Sequence, residues 1–365
     1  MKTIVFIVQQ LSQPRCIKRI STIQDAGFPI KVYGFDNGLY SENIKNLPFK
    51  ATKVITRNKE ANKLEKIRFF HSSIKQIIKE NKSNSIFYFF GFEIACIAYL
   101  SGCRNYIYEE ADVSAARINN NFIRKFLLSL DKRIIHKSKL TIFTSEGFPE
   151  YIFGNDEHPE NIIFMPNKLS SYFNQKIKES IIRNTINQNH IRFGFIGLIR
   201  YPNTIIRFAK VIGKHFPMHE FHFFGDTERK NYIDREIKSF SNVYFHGAFK
   251  NPEDLQSIYQ SIDINVVCYD TNSGNVRIAE PNKLYESIFF ETPIIVSSNT
   301  FLAKRVKQYN AGDDIDASND SSIIDYVKKL DAVRLNKIAS NLTLVDFRTL
   351  IDSPIELINK INQII

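Results

Sequence analysis

At 365 residues the chain is too long for one ordinary domain and comfortable for two, and 43% apolar residues, with 31 Phe and 16 Tyr, give each half enough to build a core. Cys16, Cys96, Cys103 and Cys268 lack metal-type spacing, and MKTIVFIVQQ is too short in apolar residues, with no small-residue cleavage site after it, for a signal peptide. The net charge of +11 is uneven: residues 1–180 carry 27 Lys and Arg against 17 Asp and Glu, the remainder 22 against 21, so an anionic surface, lipid or nucleic acid, is expected beside the first half.

In chain order, a β-branched strand over 3–8 leads to a helix over 17–25, which Gly27 ends before a strand over 30–35. A basic amphipathic helix is expected over about 60–82, with Leu64, Ile67, Phe70, Ile74 and Ile77 at helical spacing. Strand 85–90, a helix from Gly91, strand 105–108, a long helix over 118–137 and strands 140–144 and 162–165 complete this half. Strands alternating with helices imply a mainly parallel sheet. Residues 166–190 are polar and rich in Asn and Ser, and read as a connection. The pattern then restarts, with strands over 191–196, 220–224, 243–245, 264–268 and 293–296 and helices over 204–215, from Lys230, over 252–260 and over 281–290. Domains are therefore expected at 1–168 and 191–350, with a linker over 169–190 and a C-terminal helix within 351–365 that packs back on the first domain. No run of about 18 apolar residues marks a membrane span, and a reduced, cytoplasmic protein is the expectation.

The most informative stretch is PNKLYESIFFETPIIVSS, residues 281–298. Pro281 suits the first position of a helix, and the polar loop 270–279 that feeds it offers a positive helix end to a diphosphate. Lys283 in the first turn opposes the helix dipole, which points to another use for its charge. Glu286, one turn on, is within reach of a ribose whose phosphates sit at the helix end. The plainer reading makes Lys283 and Glu286 a solvated surface pair.

This segment resembles the donor-binding helix of the retaining family-4-type glycosyltransferases of bacterial polysaccharide synthesis. The resemblance implies an α/β protein of GT-B fold, two Rossmann-like domains facing across a cleft. It places Glu286 on the donor ribose and Asn282, Lys283 and Leu284 around the donor. That family carries two glutamates separated by seven residues; here the first falls at Ile278, and Glu280 is the nearest carboxylate to the sugar. FGFIGLIR, residues 193–200, resembles the family's first C-domain strand and loop, with Gly197 admitting the donor backbone and Arg200 meeting the diphosphate. VYFHG, residues 243–247, resembles the strand whose end touches the base, at His246 and Gly247. The likeness covers 193–298, and the first half only by topology.

In the first half, Glu109, Glu110 and Asp112 follow a strand and are expected at the carboxyl edge, where Asp112 is a candidate to orient or deprotonate an acceptor hydroxyl. A plain acid-rich helix N-terminus explains them too. Bond cleavage leaves charge on the diphosphate, which Arg200 and Lys283 would stabilise. His215, His219 and His222 straddle Pro217 and a strand, and Asp314-Ile-Asp316 lies late in a loop-like segment, so no metal is expected. The 118–137 helix reads as a core helix with a basic face rather than an interfacial one. The expected partners are a nucleoside-diphosphate sugar of UDP or GDP type with no further cofactor, a glycan or lipid-linked glycan acceptor such as a capsule or lipopolysaccharide precursor, and an anionic membrane surface at the inner face of the cytoplasmic membrane. Recognition signatures for nucleic acid are missing, so none is expected. A sugar-nucleotide epimerase of the same fold and a catalytically silent nucleotide-sugar-binding subunit are the alternatives.

Overall fold

The aromatic run Ser85–Phe90 is buried at every position, as a strand covered on both faces must be. In the computed structural model, which describes residues 2–36, 47–56, 62–154, 156–182, 185–199 and 202–365, such strands build two compact units. One is Met1–Met165 with Ser353–Ile365, the other Pro166–Asp352.

The first unit runs β1 (Thr3–Val8), α1 (Pro14–Asp25), β2 (Ile30–Asp36), β3 (Lys53–Thr56), α2 (Lys63–Glu80), β4 (Ser85–Phe90), α3 (Phe92–Leu100), β5 (Tyr106–Glu110), α4 (Asn121–Lys137), β6 (Leu140–Phe143), α5 (Gly147–Phe153) and β7 (Ile162–Phe164). Its sheet has the order β3-β2-β1-β4-β5-β6-β7, every described pair parallel. The second unit continues with α6 (Gln175–Glu179), β8 (Arg192–Ile196), α7 (Pro202–His215), β9 (Glu220–Phe224), α8 (Lys230–Ile237), β10 (Val243–Gly247), α9 (Leu255–Gln260), β11 (Ile264–Val267), α10 (Gly274–Ile278), α11 (Lys283–Phe289), β12 (Ile294–Ser297), α12 (Phe301–Gln308), β13 (Gly312–Ile315), α13 (Asp320–Lys328) and α14 (Ala332–Leu342). Its parallel sheet has the order β10-β9-β8-β11-β12-β13. The last helix, α15 (Ile355–Ile364), buries Leu357 and Ile361 in a core shared with Ile20, Ile23 and Ile107 of the first unit. Residues 166–190 belong to the second unit, where Leu169 and Phe173 pack beside Phe289.

Both sheets are Rossmann-like. Strand order reverses between β1 and β4 in one and between β8 and β11 in the other. At such a point the neighbouring loops leave on opposite faces and open a crevice at the carboxyl ends of the strands. The structure differs from the sequence reading where hydrophobic pattern is weak. The loop over 270–279 contains the short helix α10. Asp314 lies in the strand β13 rather than in a loop, because β13 is a half-exposed edge strand held by backbone pairing to β12 and carries no apolar run.

Candidate functional site

Three adjacent strands of the second sheet end in glycine. Gly197, Gly225 and Gly247 follow or close β8, β9 and β10, with φ of 116°, 146° and 80°. Such values strain any residue with a Cβ. They are laced together across the carboxyl edge: Gly197 N–H donates to Phe224 O at 2.7 Å and Gly225 N–H to Gly247 O at 2.7 Å. A Cβ on Gly225 would lie 2.0 Å from Gly197 O, so the row is packed backbone to backbone. A Cβ on Gly197 would lie 2.8 Å from Lys283 Nζ. The lysine ammonium thus stands directly against the glycine turn.

Lys283 is buried to 8% exposure. Its Nζ lies 5.5 Å from the centre of the Phe195 ring of β8 and 6.0 Å from that of Tyr269, just after β11. The ammonium therefore sits at the switch point between β8 and β11, its charge stabilised by two ring faces. The solvated surface pair is overturned, because Glu286 is buried as well. Glu286 Oε2 accepts from Tyr259 OH at 3.1 Å and Oε1 from Asn282 Nδ2 at 2.6 Å. Burial raises its carboxyl above the ordinary range, while Lys283 and the two hydrogen bonds pull it back. Asn265 extends the network, donating to Tyr259 OH at 3.2 Å and to Ser287 Oγ at 2.8 Å. Leu284 is wholly buried in the core.

Glu280 is turned towards α12. Its Oε1 accepts from Arg305 Nε at 2.9 Å and from Tyr285 OH at 2.5 Å. His246 stands on the outer face of β10, with Nε2 at 3.0 Å from Nδ1 of His222 and its ring stacked on Phe224 at 4.3 Å and 6°. Arg200 lies outside the described residues.

The acids of the first unit do not form one cluster. Glu109 and Glu110 lie within β5 rather than after it, and strand alternation sends them to opposite faces. Glu109 turns to α1, where Arg19 Nε lies at 3.0 Å and Arg15 Nε at 3.5 Å, and it also accepts from Tyr88 OH. Glu110 turns to α4, where Asp131 also accepts from Tyr108 OH at 3.2 Å. Desolvation pushes both Glu110 and Asp131 up; the Asp131 charge adds to the rise at Glu110, whereas at Asp131 hydrogen bonds with Tyr108 and Glu110 pull back part of it. Asp112 pairs with Arg117 at 2.8 Å on the surface, both about half exposed.

Several participants escaped the sequence reading, Asn265 among them. Gly225 had a signal, the recurrence of a strand-terminal glycine in FGFIG, FHFFG and VYFHG. Tyr259 and Arg305 had none, because each meets its glutamate across more than twenty residues of chain.

No protein-family model and no curated protein matches the sequence. Solved structures do. A sucrose-phosphate synthase from Thermosynechococcus elongatus is similar over 100% of this chain and 98% of its own, with 11% identity and a TM-score of 0.69. HepE of Anabaena, in complex with UDP and glucose, is similar over 100% and 98%, with 14% identity and a TM-score of 0.69. A mutant of S. aureus TarM in complex with fondaparinux, alpha-GlcNAc-glycerol and UDP is similar over 100% and 99%, with 13% identity and a TM-score of 0.65. At such identities the likeness establishes the fold, which is GT-B.

Proposed function

We propose that the chain is a glycosyltransferase that moves a sugar from a nucleoside-diphosphate sugar, of UDP type, to a glycan acceptor. The observation that carries this reading is the placement of Lys283 Nζ against Gly197 at the β8–β11 switch point. A glycine turn leaves room for a phosphate to approach the backbone, and a buried ammonium beside it supplies the charge that a diphosphate needs. Breaking the bond between the anomeric carbon and the diphosphate oxygen leaves negative charge on that oxygen. A lysine already desolvated against Phe195 and Tyr269 stabilises it without reorganisation.

In this reading Glu286 meets the donor ribose, reorienting from Asn282, while Tyr259 and Asn265 hold its stem in place. Gly247 and His246, at the end of β10, border the base, and Arg200 adds a second charge to the diphosphate. Glu280, through Arg305 and Tyr285, positions the start of α11 beside the sugar. Asp112 is the acceptor-side candidate. That similar folds are known with UDP or UDP-glucose bound supports a uridine nucleotide as the first donor to try. Hexosyl transfer with retention to a lipid-linked surface glycan at the inner membrane face completes the proposal.

The test is thermal unfolding with UDP, GDP, ADP and CMP, each with and without EDTA. A nucleotide at one hundred times its dissociation constant adds about 2.7 kcal/mol of stability. A shift with UDP that Lys283→Met removes supports the assignment. Equal shifts in wild type and Lys283→Met would sink the diphosphate role. Release of UDP from a UDP-sugar only when acceptor is present separates transfer from epimerisation, and donor binding without any turnover indicates a silent subunit.

A further inference from the structure

α2 and α4 are longer than the strands they cover. α4 has 17 residues, about 25 Å at a helix's rise, whereas β5 and β6 have 5 and 4 residues, at most about 17 Å. Two residues separate the end of α4 from β6, so its C-terminal end is level with the amino edge of the sheet and its first turns overhang the carboxyl edge. The burial agrees. Asp131, Ile134 and Ile135 are buried, whereas Phe122, Ile123 and Phe126 are 82%, 47% and 61% exposed. α2, with 18 residues over the six of β4, does the same: Ile74, Ile77 and Ile78 are buried, and Leu64, Ile67 and Phe69 are exposed. α3, between them, has only 9 residues and buries its first turn at Phe92, Ile94 and Ala95.

These overhanging ends are fixed. The Asn120 side chain accepts from the N–H groups of Phe122 and Ile123 at 3.0 and 3.1 Å, and Asn62 and Glu65 form a reciprocal capping box. The apolar side chains are thus presented by capped helix ends, interleaved with the cations Arg124 and Lys125 on one and Lys66 and Arg68 on the other.

We propose that the overhanging N-terminal turns of α2 and α4 are a docking surface for an anionic lipid bilayer. Aromatic and aliphatic side chains enter the boundary between headgroups and acyl chains, and the cations beside them meet headgroup phosphates. Charge selects this occupant. A second copy of the chain would bring two cationic faces together, and the backbone of a nucleic acid offers exposed Ile and Leu no apolar medium. Among the described residues no helix is long and apolar enough to cross a membrane, so this attachment is peripheral. The surface lies on the carboxyl edge of the first sheet. With the glycosyltransferase reading, on which this last clause alone rests, that placement lets a lipid-linked acceptor be met without leaving the membrane.

The experiment is co-sedimentation of the full chain with phosphatidylcholine vesicles, with and without phosphatidylglycerol. Wild type is expected to sediment with the anionic vesicles only, and high salt to release it. Phe122→Ser with Phe126→Ser should weaken partitioning about tenfold or more, and Arg124→Glu with Lys125→Glu should abolish it. Because these side chains are on the surface, the unfolding temperature should stay at the wild-type value, which checks the fold. No sedimentation of wild type, or equal sedimentation of the variants, overturns the proposal. So does a wild-type dimer in sedimentation velocity that the phenylalanine variant returns to monomer without lipid, since the face would then be a protein interface. UDP stabilisation read in the same samples keeps the two ideas apart. Loss of vesicle binding with UDP binding intact removes only the docking surface, and the reverse removes only the donor site.

Discussion

In the first unit the charges at the strand ends are turned inward, Glu109 to Arg15 and Arg19, and Glu110 to Asp131. In the second, the strand ends carry glycines laced by backbone hydrogen bonds, and the nearby cation, Lys283, is held over aromatic rings against one of them. The two sheets share a topology and differ in what they do with charge. In the first sheet Glu109 is closed by two arginines, and Glu110 is buried beside a second acid. Lys283 is buried beside a glycine turn, where the missing side chains let its ammonium approach the backbone, and its charge also acts on the buried Glu286.

That contrast breaks first at Glu109. Glu109→Ala leaves the nearly buried Arg19 guanidinium without its carboxylate and should destabilise the first unit by about 3–5 kcal/mol in denaturant unfolding. A change under about 1 kcal/mol would mean that water or another acid takes its place. In the second unit the corresponding weak point carries no charge. Gly225→Ala forces a Cβ onto Gly197 O and should cost about 3 kcal/mol, with loss of UDP binding. Survival of both stability and binding would show that the glycine row tolerates a side chain and is no backbone platform.

Lys283→Met sharpens the comparison, because it separates ligand from fold. UDP affinity should fall about tenfold to a hundredfold, or about 1.4–2.8 kcal/mol, while stability without ligand moves by less than that. A loss of stability as large as that at Glu109 would make Lys283 a structural residue like the acids of the first sheet.

Titration gives a smaller, slower signal. Glu110 and Asp131 are held above the ordinary carboxylate range, so between that range and their raised values the folded chain binds more protons than the unfolded one. Stability should therefore fall as pH rises from mildly acidic through neutral, by at most about 1.4 kcal/mol per pH unit for each extra proton bound. Asp131→Asn, which cannot ionise, should flatten the fall. An unchanged slope in that variant would place the titration elsewhere. The least effect is expected at Asp112→Ala, which breaks a half-exposed pair with Arg117 and should alter stability by less than about 1 kcal/mol. If acceptor-dependent turnover nevertheless drops, Asp112 serves the acceptor and not the fold.

Much of the fold was legible because its signals are local. Runs such as SIFYFF and INVV are short, apolar and β-rich, and the glycines and prolines between them mark the crossovers. β13 was not legible, because its sequence GDDI has no apolar pattern and its strand form comes from pairing with β12. At the site, Gly197 and Lys283 were both singled out from sequence, yet nothing in either segment tells that the ammonium meets that glycine. The stripe on α4 misled: Phe122 and Phe126 fall in register with Leu130 and Ile134, but periodicity records a helical face and not how far along it the sheet extends.

The sequence by itself determined the alternation of strands and helices, the restart that makes two Rossmann-like sheets, and the residue types gathered at the ends of β8, β9 and β10. These depend on propensity and periodicity within about ten residues, which the chain writes in order. Only the tertiary structure decided that Glu109 is closed by Arg19 ninety residues away, that Glu286 is held by Tyr259, and that the first turns of α4 stand in solvent. Those outcomes depend on crossover packing and on helix length measured against strand length, which are properties of neighbours in space that no stretch of sequence contains.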